Sequence, residues 1–473
     1  MATITPVAYD PKDTAEKLAN TYVAGTKAIN DARGANATAT AAGLTTLGSA
    51  LSAFQSAMAA LSTATTSVSA NSAVFSNTAI ANATAASGAT AGTYSFFVEQ
   101  LATAGQVSYD VGNSAAAGAG TMKVMLADGN GFDVNLANAD SNGDGTLTAK
   151  EVAAAINAAA ANDSRVTAST LTINGQTKLV LTSANTGAAG AVASIDVSSL
   201  GSASLQAQLS SKTQLTAASD AIVWVGGKSG TKVQQASNTF SVIDDVKFTI
   251  TAAQAASSTD NVTLTVAADK SGTAANVQNF VTAYNTLLGV IDKLTAAGDH
   301  KVIEPELPSD APKPTTADAA FYNDAGVANL RQRLSASLRA ATGGVTLVSF
   351  GISSDKKGVL TLDSKRLEKA VAANPGKLDT LFGRAGIGVD AGALGAMNKL
   401  VTSWTSASNG VISGRKEQNT RLQSDVADRA ITIKNQFDNA YQRYLKQFTQ
   451  LQVLQESMTR TSDMFTAMFS SDN

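Results

Sequence analysis

Two stripes of apolar residues at opposite ends of the chain, each stepping by three and four, constrain its fold more than any other feature. Near the start, Leu44, Leu47, Leu51, Phe54, Met58 and Leu61 alternate those steps without a break, with Ala, Ser, Thr and Gln between them. After Arg415, the same steps or their sum separate Leu422, Val426, Ile433, Phe437, Ala440, Tyr444, Phe448, Leu451, Leu454, Met458, Phe465 and Met468. No Pro or Gly interrupts the run from Arg415 to Asn473. This end reads as one helix of about 50 residues, some 75 Å long at ~1.5 Å per residue. A stripe two residues wide per heptad reads as a coiled-coil-like seam; a single amphipathic core helix covers much of the same ground. The N-terminal seam is only about 27 Å long by the same rise, so the longer helix has stripe to spare. Helices expected over Ala275–Ala296 and Ala325–Ala341, with Val277, Phe280, Tyr284, Leu330 and Leu334 on their apolar faces, take part of it. The remainder must meet another subunit or another protein.

The middle of the chain changes period. TYSFFVEQLA, TMKVMLAD, FDVNLAN, TLTING, KLVLTSA, SIDVSS, DAIVWVGG, NTFSVIDDVKFTITAA and NVTLTVAAD read as β-strands ending in Gly, Asn or Asp. Short helices are expected at Lys150–Asn162 and Leu205–Leu209. The fold class is therefore α+β: coiled-coil-like terminal helices form a leg, and two β-rich head domains are inserted between them. The expected segments are 1–43, an N-terminal export or assembly piece; 44–77 with 273–414, the leg; 78–108 with 216–272, an inner head; 109–215, an outer head; and 415–473, the C-terminal helix. Pro305, Pro308, Pro312 and Pro314 crowd into EPELPSDAPKP beside His300. Such a segment neither continues a helix nor joins a sheet, so an exposed connection is expected, with His300 as a solvated loop residue.

Composition excludes much chemistry. The chain has 473 residues, one His and no Cys, which removes thiol nucleophiles, zinc–cysteine sites, disulfide scaffolds and His-rich metal clusters. A net charge of −2 offers nothing to a nucleic-acid backbone. The longest apolar run, Val152 to Ala161, is far short of the ~20 residues that a bilayer requires. The start lacks an apolar stretch and carries Pro6, Asp10, Pro11 and Asp13, so no cleaved signal peptide is expected, although specialised export systems need none. There is no Gly-x-Ser-x-Gly elbow and no phosphate-binding Gly loop. Trp224 reads as a strand residue and Trp404 as an amphipathic-helix residue, both core or interface fillers. A structural or binding protein is favoured over an enzyme, and no cofactor is required.

One motif resembles a ligand site. Asp140, Asn142, Asp144, Thr146, Thr148 and Glu151 fall at positions 1, 3, 5, 7, 9 and 12 of an EF-hand calcium loop, with Gly145 at the tight turn. A helix follows, but GFDVNLANA before it looks like a strand. The competing reading is a β-to-α turn in which Thr148 caps the helix and Glu151 completes a capping box. Calcium is the one cofactor the sequence leaves open.

LTTLGSALSAFQSAMAALSTATT and ATAASGATAGTYSFFVEQLATAGQVS, then NFVTAYNTLLGVIDKLT, VANLRQRLSASLRAATGG, FGISSDKKGVLTLDSKRLEKAVAANPGKLDTLFG and NGVISGRKEQNTRLQSDVADRAITIKNQFDNAYQRYLKQFTQLQVLQ, resemble the bacterial flagellar filament cap family, hook-associated protein type two. They keep that family's order across roughly Leu44–Tyr109 and Asp220–Met468. The resemblance implies a secreted, ring-forming homo-oligomer at the distal tip of the flagellar filament that catches exported flagellin, favours its folding and inserts it. It also implies hook–filament junction proteins as partners, and a cytoplasmic export chaperone on the C-terminal helix. Neither nucleic acid nor membrane insertion is expected. A filament or junction subunit, and a tip adhesin for host glycans, are the alternatives.

Overall fold

The computed structural model describes residues 10–62, 66–116, 119–296, 320–340, 342, 344–385 and 391–470. His300 and the four clustered prolines lie outside the described residues. The chain divides into two units, residues 1–68 with 274–473, and residues 69–273.

The first unit opens with α1 (Pro11–Leu61), a single helix of 51 residues. Asp10 caps it, accepting from Lys12 N at 2.8 Å, and Pro11 supplies a pre-set φ where no N–H is needed. In the stretch without charged side chains, Thr38, Thr45, Thr46 and Ser56 donate to the carbonyl four residues back, satisfying their hydroxyls on the helix itself. The boundary expected at residue 43 therefore lies inside a continuous helix, and α1 is about 77 Å long rather than the 27 Å read from the seam.

The second unit holds two β-rich lobes with separate cores. In the inner lobe, the sheet order is β1 (Ala70–Phe75), β17 (Val262–Asp269), β3 (Gly92–Gln100), β13 (Ala221–Val225) and β14 (Thr231–Gln235). Beside it stand β15 (Thr239–Ile243), β16 (Val246–Ile250) and β2 (Ala81–Ala85). All these pairings are antiparallel. Phe75, Phe96, Phe240 and Phe248 fill the core, the last two stacked at 5.2 Å. NTFSVIDDVKFTITAA, expected as one strand, is a hairpin: Asp245 adopts φ 60° and reverses the chain.

The outer lobe carries β12 (Lys212–Thr216), β4 (Gln106–Tyr109), β10 (Gln176–Ser183) and β9 (Val166–Ile173) in one sheet. β11 (Val192–Asp196), β6 (Thr121–Leu126) and β7 (Gly131–Asn135) form a second, and β5 (Ser114–Ala115) pairs with β8 (Thr146–Leu147). The expected short helices appear as α2 (Ala149–Ala158) with a 3₁₀ turn at Ala160–Asn162, and as α3 (Ala203–Ser210). Trp224 on β13 is half-buried, and its indole N–H donates to Glu99.

The chain returns to the first unit as α4 (Lys270–Thr295) and α5 (Ala325–Arg339), close to expectation. A β18 (Ile352–Ser354) and β19 (Leu360–Leu362) hairpin follows, then α6 (Ser364–Ala373), α7 (Lys377–Phe382), α8 (Gly392–Thr405) and α9 (Val411–Ser470). Its core gathers Leu44, Leu47, Leu51, Phe54, Met58 and Leu61 of α1 against Phe280 and Tyr284 of α4, Leu330 of α5, Phe382 of α7 and Trp404 of α8. Gly43 permits a close approach: a Cβ there would stand 2.7 Å from the Ala320 Cβ. Among the described residues no helix is long and apolar enough to cross a membrane.

Candidate functional site: the helical seam and the 140–151 loop

α1 and α9 run antiparallel, as two hydrogen bonds between them show. Asn30 Nδ2 donates to the Val426 carbonyl (3.1 Å), and Asn419 Nδ2 donates to the Ala37 carbonyl (2.9 Å). Both asparagines are buried. A buried amide must find a partner, and in this register each asparagine finds a backbone carbonyl of the other helix, so a slid register would have to replace both bonds. The signal was present in the sequence. Val23, Asn30, Ala37, Leu44, Leu51 and Met58 recur every seven residues, and Asn30 is the polar member of that series. Where α1 offers small residues, α9 answers with large ones, and a Cβ on Gly34 would meet Val426 Cγ1 at 3.2 Å.

The expected seam residues divide into groups. Leu44, Leu47, Leu51, Phe54, Met58 and Leu61 are consumed by the core of their own unit. On α9, Ile433 is buried, whereas Val426, Phe437, Tyr444 and Phe448 are half-buried. Leu422 is exposed and lines a surface hollow of about 570 Å³ between α1 and α9 that also touches Ile29, Arg33 and Arg429. Leu451 and Met458, with Leu454 and Phe465 between and beyond them, are exposed.

Charge pins the base of α9. Arg415 makes a two-pronged pair with Asp324, at 2.8 and 3.0 Å, beneath the rings of Trp404 and Phe321. Asp324 also caps α5, accepting from Val327 N at 2.9 Å. Partial burial pushes its pKa up, but the Arg415 guanidinium and the cap outweigh that and hold it below the usual carboxylate value.

The 140–151 loop is a chain of local turns. Asp140 accepts from Gly143 N and Gly145 N, Asn142 from Asp144 N, and Asp144 from Thr146 N and Oγ1. Glu151 is buried, with Oε1 accepting from Ser141 N and Oγ, and Oε2 from Thr148 N and Oγ1. Thr148 Oγ1 accepts in return from Glu151 N, completing the capping box. Hydrogen bonds from Thr148 and Ser141 hold the Glu151 pKa below its ordinary value, and those from Thr146 and Asn142 do the same for Asp144. Leu147 is buried beneath the β5–β8 pairing. Among the described residues no three His, Asp or Glu side chains are grouped to hold a metal ion. The geometry is that of the β-to-α turn, with each acidic side chain already answered by protein donors.

Comparison with known proteins adds the following. A family model described as flagellar hook-associated protein 2 C-terminus matches residues 218–460, and its N-terminal counterpart matches residues 8–105. The lateral flagellar hook-associated protein 2 of Vibrio parahaemolyticus is 31% identical over 381 residues, covering 79% of this chain and 81% of that protein. The B-type flagellar hook-associated protein 2 of Pseudomonas aeruginosa is 29% identical over 453 residues, covering 89% and 88%. The crystal structure of the flagellar cap protein FliD D1-D2-D3 domains from Escherichia coli overlaps 80% of this chain and 99% of its own at a TM-score of 0.54. At 24% identity that overlap speaks for the fold.

Proposed function

The chain belongs to the flagellar hook-associated protein 2 family, and on that premise we propose that it caps the distal tip of a flagellar filament. In this reading it is exported, assembles as a homo-oligomer, and holds arriving flagellin where it folds and joins the filament. Hook–filament junction proteins and an export chaperone on the C-terminal helix are the further partners. No covalent step is involved. The observation that carries the reading is the α1–α9 pair: two long helices locked in register, with α9 continuing past its partner as an exposed apolar stripe. Such a stripe suits a subunit completed only by assembly. Deleting the gene is expected to leave hooks without filaments and to spill unpolymerised flagellin into the medium. Normal filaments in the deletion strain would refute the cap role.

For the 140–151 loop, we propose a purely structural turn. Excess Ca²⁺ is expected to leave the melting temperature unchanged, whereas Thr148→Ala removes the helix cap and costs about 1 kcal/mol in urea unfolding. A calcium-dependent rise in melting temperature, lost in Asp144→Asn, would assign the loop to the ion instead.

A further inference from the structure

A second hollow lies within the helical unit, where α5 faces the turn joining β18 to β19. It encloses about 300 Å³. Arg331, Ser335 and Arg339 recur every four residues along α5, so they share one face of that helix. Lys356 and Lys357 come from the opposing turn. The turn itself is tightly specified. Asp355 Oδ1 accepts from Lys357 N (2.8 Å) and Val359 N (2.9 Å), and Gly358 takes φ 88°. Arg331 is committed, donating to the Lys357 carbonyl at 2.8 Å and pairing with Asp292 at 3.1 Å. It acts as a strut tying α4, α5 and the turn together. Among the described residues, Arg339 and Lys356 have no ion-pair partner.

The buried Tyr284 of α4 also lines the hollow, and its hydroxyl has one long contact, 3.5 Å to Ser335 Oγ. Burial pushes the Tyr284 pKa up, so the hydroxyl stays protonated and able to donate. Uncommitted cations around an under-used buried hydroxyl match an oxyanion that accepts from several donors at once. The volume suits one or two carboxylate side chains, not a groove that tracks a polymer backbone.

We propose that the hollow between α5 and the β18–β19 turn is a docking pocket for an acidic peptide segment of a partner polypeptide, with carboxylates received by Arg339, Lys356 and Tyr284. The inference is independent of the cap role and stands on this pocket alone.

The test uses the full chain and a fluorescein-labelled hexaglutamate peptide, with hexaglutamine as control and inorganic phosphate as competitor. Fluorescence anisotropy is expected to show saturable hexaglutamate binding at low salt, weakened about tenfold or more at high salt, and none for hexaglutamine. The double variant Arg339→Gln with Lys356→Gln changes exposed side chains, so its melting temperature should stay at the parent value while affinity falls about tenfold. Tyr284→Phe, removing only the hydroxyl, should weaken binding about threefold. Absence of hexaglutamate binding, or full binding by the double variant, would overturn the proposal. So would phosphate displacing the peptide at equal concentration, which would assign the pocket to a small anion.

Discussion

Phe280→Ala is expected to remove about 3–5 kcal/mol from the unfolding free energy of the helical unit, against the ~5–15 kcal/mol that such a unit possesses. Phe280 is fully buried on α4, and its ring meets Phe382 edge-on at 5.2 Å and Phe54 at 6.3 Å. It joins the first helix of the chain to segments more than 200 residues away, so truncation opens a cavity that no single element can close. Edge-to-face aromatic contacts add about 0.5–1.5 kcal/mol to the transfer term. Urea unfolding followed by helical circular dichroism measures the loss. The aromatic core of the inner β-lobe is a separate cluster and provides the control: Phe248→Ala should spare the helical signal while weakening the β-rich unit. A loss below about 1 kcal/mol for Phe280→Ala would mean that this ring is not a keystone of the core.

The residues that made the architecture readable are those whose burial repeats at the period of their own element. Leu44 to Leu61 and Phe280 to Ile291 do so, and the structure buries them as their spacing demands. The first 33 residues of α1 escaped notice because their inward positions are Ala15, Ala19, Val23, Asn30 and Ala37, too small or polar to stand out as a stripe. The Asp10–Pro11 pair, a cap followed by a first-turn proline, marked the true start. β12 and β14 went unseen for a related reason: KTQLT and TKVQQ are mostly exposed edge strands, with no apolar alternation to betray them. At the loop, spacing left the calcium and the turn readings both open, because it shows which oxygen-bearing side chains are near one another and not where each one points. Whether a carboxylate turns toward an ion or toward its own backbone depends on rotamers that spacing does not encode. The basic pocket was illegible because Tyr284, Arg339 and Lys356 are distant along the chain and meet only through the packing of α4, α5 and the hairpin.

Replacing Leu451, Leu454, Met458 and Phe465 together by Ser is expected to abolish self-association and filament elongation while leaving the urea midpoint of the helical unit unchanged. The register explains the asymmetry. Asn30 lies beside Val426, Ala37 beside Asn419, and the Arg443 guanidinium sits 5.8 Å from the Tyr22 ring. Continued at one residue for one from the two hydrogen-bonded pairs, this alignment brings Pro11 opposite residue 445, and about 25 residues, or ~38 Å, of α9 extend beyond it. The four apolar side chains on that extension step by three, four and seven, so they form one face, and each is 41–61% exposed. They contribute little to the stability of the isolated chain, because among the described residues they stay exposed. Most of a helix's stability comes from packing its apolar face, so this face has its consequence when another helix packs against it. Sedimentation of the purified variant measures assembly, and swimming measures elongation. Assembly at parental strength would place the oligomer contacts elsewhere on the chain.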